Sequence, residues 1–111
     1  MKDVEQTEQE KVLKLLKETL EDLELNVYKV VLFGSRARGD YASDSDYDFL
    51  IVMENPISIS EKRKIISFIR MHMAKNNIPV DVFLKDVRDY ENYRDIVGSL
   101  SYEVEKEGIA I

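Results

Sequence analysis

The stretch VLFGSRARGDYASDSDYDFLIV, residues Val31–Val52, sets three aspartates at alternate positions directly before an apolar run. The acids are Asp44, Asp46 and Asp48, and the run FLIV that follows is typical of a buried strand. Like charges at this spacing repel one another, and a desolvated carboxylate without a partner is costly. The pattern therefore predicts that the acids lie in water at a strand end or are offset by positive charge.

The composition indicates one ordinary domain over residues 1–111. The chain is 44% apolar, has no cysteine and carries a formal net charge of −6. No apolar run approaches the ~20 residues of a membrane span, and the polar N-terminus is unlike a secretory signal. We therefore expect a cytoplasmic protein. The acidic balance argues against a nucleic-acid backbone as the main ligand, because proteins that grip one are usually basic.

Apolar periodicity and capping signals predict alternating helices and strands along the chain. The predicted helices are Thr7–Leu25, a short turn over Ser35–Tyr41, Ser58–Lys75 and an interrupted segment from Asp86 to about Lys106. The predicted strands are Tyr28–Phe33, Tyr47–Met53, Val80–Leu84 and a short edge strand in the tail IAI. This order predicts an α/β (α+β) fold in which helices flank a small mixed β-sheet.

The acids are expected to converge at one edge of that sheet. Side chains alternate along a strand, so Asp46 and Asp48 should share a face. A helical crossover between the second and third strands usually makes them parallel, which places Asp81 beside Asp48. If the first strand is antiparallel to the second, Gly34-Ser35 arrives at the same edge. The prediction is three carboxylates and a glycine-serine turn around one cleft.

Such a cleft suits phosphate chemistry. Neighbouring carboxylates raise one another's pKa, and Mg²⁺, which prefers oxygen ligands, relieves that conflict. Two such ions are the usual device for in-line displacement at phosphorus. In the turn GSRARG, Gly34 lets the backbone approach a phosphate, and Ser35 and the following amides can donate hydrogen bonds to it. Arg36 or Arg38 can neutralise charge on a leaving pyrophosphate.

Each feature taken singly has a simpler explanation. A D-x-D pair is usually a solvated strand end, and Asp44 fits a loop acid or a cap. The cluster Lys62-Arg63-Lys64 is most simply a solvated first helical turn. Asp81 is more informative, because the surrounding VDVF otherwise favours complete burial. The conjunction of the features, in this order, carries the functional prediction.

That conjunction resembles the nucleotidyltransferase superfamily of the DNA polymerase β type, whose signature is G-S, about ten residues, D-x-D and a third acid on a later strand. Gly34-Ser35, the ten residues 36–45 and Asp46-Tyr47-Asp48 match it, and Asp81 fits the third acid. The resemblance covers roughly residues 28–84. The stretch GSRARGDYASDSDYDFLIV is most similar to the core motif of the minimal nucleotidyltransferases (MNT proteins) of bacteria and archaea.

The resemblance implies a polymerase β-type fold and a set of residue roles. Asp46 and Asp48 would bind two Mg²⁺ ions, and Asp81 would complete the second site and help to activate the acceptor hydroxyl. Gly34 and Ser35 would hold the phosphates of the nucleotide, and Arg36 and Arg38 would also bind it. The implied reaction moves a nucleoside monophosphate, typically AMP from ATP, onto a hydroxyl and releases pyrophosphate.

The resemblance also implies a partner. Larger relatives carry a second domain that holds the acceptor, and 111 residues leave no room for one, so we expect another chain to present it. MNT proteins are commonly paired with a small helical HEPN ribonuclease toxin, which in some pairs is adenylylated on a tyrosine by its MNT antitoxin. Two alternatives stay open. The chain could neutralise a toxin by binding alone, or it could modify a small molecule, with a homo-oligomer building the pocket.

Overall fold

Five helices and four strands alternate along residues 7–110, the part of the chain that the computed structural model describes. In chain order they are α1 (Glu8–Asp22), β1 (Val27–Phe33), α2 (Ser35–Arg38), β2 (Tyr47–Met53), α3 (Ile59–Lys75), β3 (Val80–Asp86), α4 (Val87–Tyr93), α5 (Leu100–Glu107) and β4 (Ile109–Ala110). Ile111, the last residue of the predicted tail strand, lies outside the described residues. None of the helices in residues 7–110 is long and apolar enough to cross a bilayer.

The four strands form one mixed sheet in the order β3-β2-β1-β4. β2 and β3 are parallel and are joined by α3, whereas β1 is antiparallel to both β2 and β4. A helical crossover that returns the chain to the same sheet favours this parallel pairing. The predicted mixed sheet with flanking helices is confirmed.

Side-chain caps fix where the long helices begin. The Ser58 hydroxyl accepts a hydrogen bond from the Glu61 amide at 3.1 Å, as the capping-box spacing predicts. Asp86 caps α4 in the same way, accepting from the amide of Asp89. The predicted interrupted helix is two helices, because Gly98 has a φ of +88° and Ser99 then caps α5. Strand β3 also extends two residues beyond its predicted end at Leu84.

Both faces of β2 are covered, which explains why its sequence is a nearly continuous apolar run. Tyr47, Phe49 and Ile51 pack with α1 and α3 in the larger core. Leu50 and Val52 pack on the opposite face with side chains of α4 and α5. Because strand side chains alternate, Asp48 lies on this second face, at the start of β2, where it is only half-buried. The fold therefore leaves the first residues of β2 accessible, so that a site can form there.

Candidate active site

The sheet register places two of the predicted acids side by side. Asp48 on β2 is paired with Asp81 on the parallel strand β3. Burial raises the pKa of the Asp48 carboxyl, and the negative charges of Asp81 and Asp46 raise this pKa further, while Arg38 lowers it. Ionisation of Asp48 is therefore less favourable here than in water, and a bound cation would offset this cost.

The glycine of the GS turn meets the carboxylate of Asp48 directly. The antiparallel register pairs Phe33 with Asp48, so Gly34, the next residue, lies at the same edge. A Cβ atom at Gly34 would overlap Asp48 Oδ2 and would lie 3.2 Å from its Cγ. Gly34 also has φ +76° and ψ −158°, a region that is essentially restricted to glycine. The turn and the carboxylate can therefore approach this closely only because residue 34 has no side chain.

The predicted helical turn after Gly34 is present but short. α2 begins at Ser35 and ends at Arg38, and the amides of Ala37 and Arg38 both donate to the Gly34 carbonyl. The first amides of a helix have no partner within it, so this turn can present donors to an anion. Ser35 is half-buried beside them.

Arg36 is buried against the loop that leads to Asp46. The side chain is only 5% exposed, and its guanidinium donates to the carbonyls of Ser43 and Ser45 at 3.1–3.2 Å. It also lies between the rings of Tyr41 and Tyr47, at 4.1 and 4.3 Å from their centroids. All these contacts hold the loop that leads to Asp46, so Arg36 positions that loop.

Replacing Arg36 should therefore destabilise the protein. Arg36→Met removes charged hydrogen bonds and cation–π contacts. We therefore expect the free energy of unfolding to fall by about 3 kcal/mol. Arg38→Met is the matched control, with an expected change within about 1 kcal/mol, because the ion pairs of Arg38 are exposed to solvent. Urea unfolding of both variants measures the difference. Equal losses would contradict the assigned role of Arg36.

Arg38 remains at the surface, close enough to act on the site electrostatically. Its guanidinium contacts Asp40 Oδ2 at 3.2 Å and Glu107 Oε1 at 3.0 Å. These carboxylates raise its pKa, and Arg38 in turn lowers the pKa of Asp48. Of the two arginines of the turn, Arg38 is the one whose charge lowers the pKa of Asp48.

Asp46 lies outside the strand pairing that joins Asp48 and Asp81. It is exposed and lies one residue before β2, beside α3, although its charge still acts on Asp48. Within residues 7–110, no three Asp, Glu, His or Cys side chains form a group that could hold a metal ion by themselves. Mg²⁺ is commonly bound by one or two carboxylates, with phosphate oxygens and water completing its shell. The donor set fits Mg²⁺ shared with a nucleotide better than an ion held by protein alone.

Comparisons with known proteins identify the family to which the chain belongs. A family model described as the nucleotidyltransferase domain matches residues 13–110. A Methanocaldococcus jannaschii protein named "putative protein adenylyltransferase" is 31% identical over 93 residues, which cover 74% of this chain and 94% of that protein.

Two solved structures share the fold. A "putative minimal nucleotidyltransferase" superposes with a TM-score of 0.62 at 20% identity, covering 97% of this chain and 100% of that one. A toxin–antitoxin crystal structure with AMP-PNP gives a TM-score of 0.59 at 18% identity, covering 87% of this chain and 69% of that one. With the family model matching residues 13–110, the chain belongs to the nucleotidyltransferase domain family and is a nucleotidyltransferase.

Proposed function

We propose that this nucleotidyltransferase is Mg²⁺-dependent and transfers AMP from ATP to a hydroxyl of a partner protein, releasing pyrophosphate. The observation that carries the proposal is the pairing of Asp48 with Asp81 at the edge where Gly34 meets Asp48. Carboxylates for cations and a turn for phosphates are thereby brought to one place. The relative named a protein adenylyltransferase supports AMP and a protein acceptor.

The residues would divide the work as follows. Asp46 and Asp48 would hold two Mg²⁺ ions, and Asp81 would complete the binding site of the second ion. When bound, Mg²⁺ would offset the charge of the phosphates and favour ionisation of the acceptor hydroxyl. Gly34 and Ser35 would hold the phosphates: Gly34 lets the turn lie directly against Asp48, and the Ser35 hydroxyl can donate a hydrogen bond to a phosphate oxygen.

Bond changes in the transfer are balanced without a further reactant. The acceptor oxygen forms a bond to the α-phosphorus of ATP as the bond from that phosphorus to the bridging oxygen breaks. Pyrophosphate departs with the bonding electrons. Asp81, which lies beside Asp48 on the neighbouring strand β3, would accept the proton of the hydroxyl as a general base.

The proposed acceptor is a tyrosine of a HEPN-type toxin, for which this chain would be the antitoxin. The GSRARGDYASDSDYDFLIV motif of the MNT proteins supports this assignment. So do the solved neighbours, which include the toxin–antitoxin structure with AMP-PNP and a MntA–HepT complex with a TM-score of 0.53. A partner chain would supply the acceptor hydroxyl.

Labelling tests the proposal. The chain is incubated with α-labelled ATP and Mg²⁺, with and without a HEPN-type protein as the candidate acceptor. We expect label on a tyrosine of that protein, and no label with Asp46→Ala or with a chelator present. A tight complex without label would contradict the proposed transfer. Toxin neutralisation that survives Asp46→Ala combined with Asp48→Ala would favour inhibition by binding alone.

A further inference from the structure

An open groove of about 620 Å³ lies beside Asp46, between α3 and the residues that lead into β3. Arg63, Ser67 and Arg70 line it from α3 at the three- and four-residue spacing that places side chains on one face of a helix. Hydrogen bonding brings its other wall next to the site, because the amide of Tyr47 donates to the Pro79 carbonyl at 3.0 Å. The groove thus reaches Asp46, the acid that lies directly before β2.

The groove carries positive charge that the described chain does not offset. Arg63 and Arg70 are exposed, and within residues 7–110 neither forms an ion pair or a side-chain hydrogen bond. The carboxylate among the lining residues is Asp46, which the proposed function assigns to a cation. In a chain with a net charge of −6, two such arginines along one groove favour an acidic ligand.

The same groove offers apolar surface. Met71 is 61% exposed on its rim, and Ile66, Ile78 and Val80 contribute to its walls. A site that combines exposed methionine and aliphatic side chains with arginines suits a polypeptide segment that has both apolar and acidic side chains. A bare phosphate group would use the arginines and leave the apolar walls in water.

The strand order indicates which substrate uses the groove. In the order β3-β2-β1, the Gly34 turn lies on the β1 side of Asp48, whereas the groove lies on the side of β3 and α3. An in-line displacement brings the attacking oxygen from the side opposite the leaving group. If pyrophosphate leaves along the Gly34 turn, the acceptor approaches from the side of the groove.

We propose that this groove, the Arg63/Arg70 groove, binds the acceptor polypeptide next to the hydroxyl and selects acidic and apolar neighbours of that residue. This inference rests on the proposed function and deepens it. Arg63 and Arg70 contact the acidic side chains, and the apolar walls around Met71 receive a neighbouring aliphatic side chain.

Synthetic peptides of equal length with one tyrosine test the inference. One has Asp and Leu around the tyrosine, and the other has Lys and Leu. Binding is measured by fluorescence anisotropy with AMP-PNP and Mg²⁺, and AMP transfer to the same peptides is measured with labelled ATP. Wild-type protein should bind and modify the acidic peptide at least about fivefold better, as expected for two exposed charge contacts.

Charge reversal in the groove is compared with the same reversal elsewhere on α3. Arg63→Glu with Arg70→Glu should weaken binding of the acidic peptide about tenfold, since two exposed attractions become repulsions. Lys64→Glu with Lys75→Glu is the matched control, because both lysines are exposed on α3 and neither lines the groove. The control should change binding by less than about twofold, and the KM for ATP should stay constant in both variants.

The outcomes separate the groove from the reaction. Equal binding of the two peptides, or equal losses in the two variants, would overturn the inference even if AMP is transferred. A raised KM for ATP in the groove variant would assign the arginines to the nucleotide and would also overturn it. Preferential binding of the acidic peptide, without AMP transfer to any peptide or partner, would support the charge selectivity of the groove. It would contradict the proposed transfer of AMP to a protein.

Discussion

Asp48→Asn should lower AMP transfer by at least about 1000-fold while the protein stays folded. The substitution keeps the shape of the side chain but removes the charge that would hold Mg²⁺. It also removes the repulsion among Asp48, Asp81 and Asp46, which together with burial raises the pKa of Asp48. The free energy of unfolding without metal or nucleotide should therefore equal or exceed that of the wild type.

Label transfer and urea unfolding of the same preparations measure these two effects. Asp44→Asn is the matched control, because Asp44 is an exposed acid in the same loop and makes no ion pair within residues 7–110. It should retain activity within about twofold, as surface changes usually do. Transfer by Asp48→Asn at more than a tenth of the wild-type rate would move the metal site elsewhere. A large loss of stability would make Asp48 a structural residue.

Gly34→Ala should both destabilise the protein and abolish transfer. Its Cβ would overlap Asp48 Oδ2, and alanine would have to adopt φ +76° and ψ −158°. Backbone strain of this kind costs about 1–3 kcal/mol, and the overlap pushes the carboxylate away from its position beside Asp81. We therefore expect an unfolding free energy about 3 kcal/mol lower and transfer reduced to background.

Gly39→Ala separates strain from the contact with the site. Gly39 also has a positive φ, +88°, but a Cβ there would meet nothing within 4 Å. Its replacement should cost about 1 kcal/mol of stability and preserve the activity of the folded protein. Transfer is measured below the unfolding transition of both variants. If both retain activity, or if they lose stability equally, the close approach of Gly34 to Asp48 is not required.

Local signals predict most of the fold because they report what each segment can bury. The apolar run of β2 predicts a strand covered on both faces, and both faces are covered. Ser58 and Glu61 predict the start of α3, and α3 as a crossover predicts the parallel pairing that brings Asp81 beside Asp48. These inferences need only periodicity, capping and the handedness of connections.

The direction of an individual side chain is harder to predict, because packing between distant segments determines it. Arg36 next to Gly34-Ser35 suggests a phosphate ligand, but Tyr41 and Tyr47 enclose its guanidinium and the loop carbonyls use its donors. The two tyrosines around the loop were the available signal. Arg63 likewise reads as part of a solvated turn, and only the fold shows that it lines a groove beside Asp46.

Parallel reactions with α-labelled and γ-labelled ATP test the central claim most directly. The chain is mixed with Mg²⁺, the proposed HEPN-type partner and one or the other label, and Asp48→Asn provides the background. Nucleotidyl transfer would attach the α label to the partner and release the γ label as pyrophosphate. Attachment of the γ label would indicate phosphoryl transfer, and attachment of neither label to any acceptor would contradict nucleotidyl transfer to a protein.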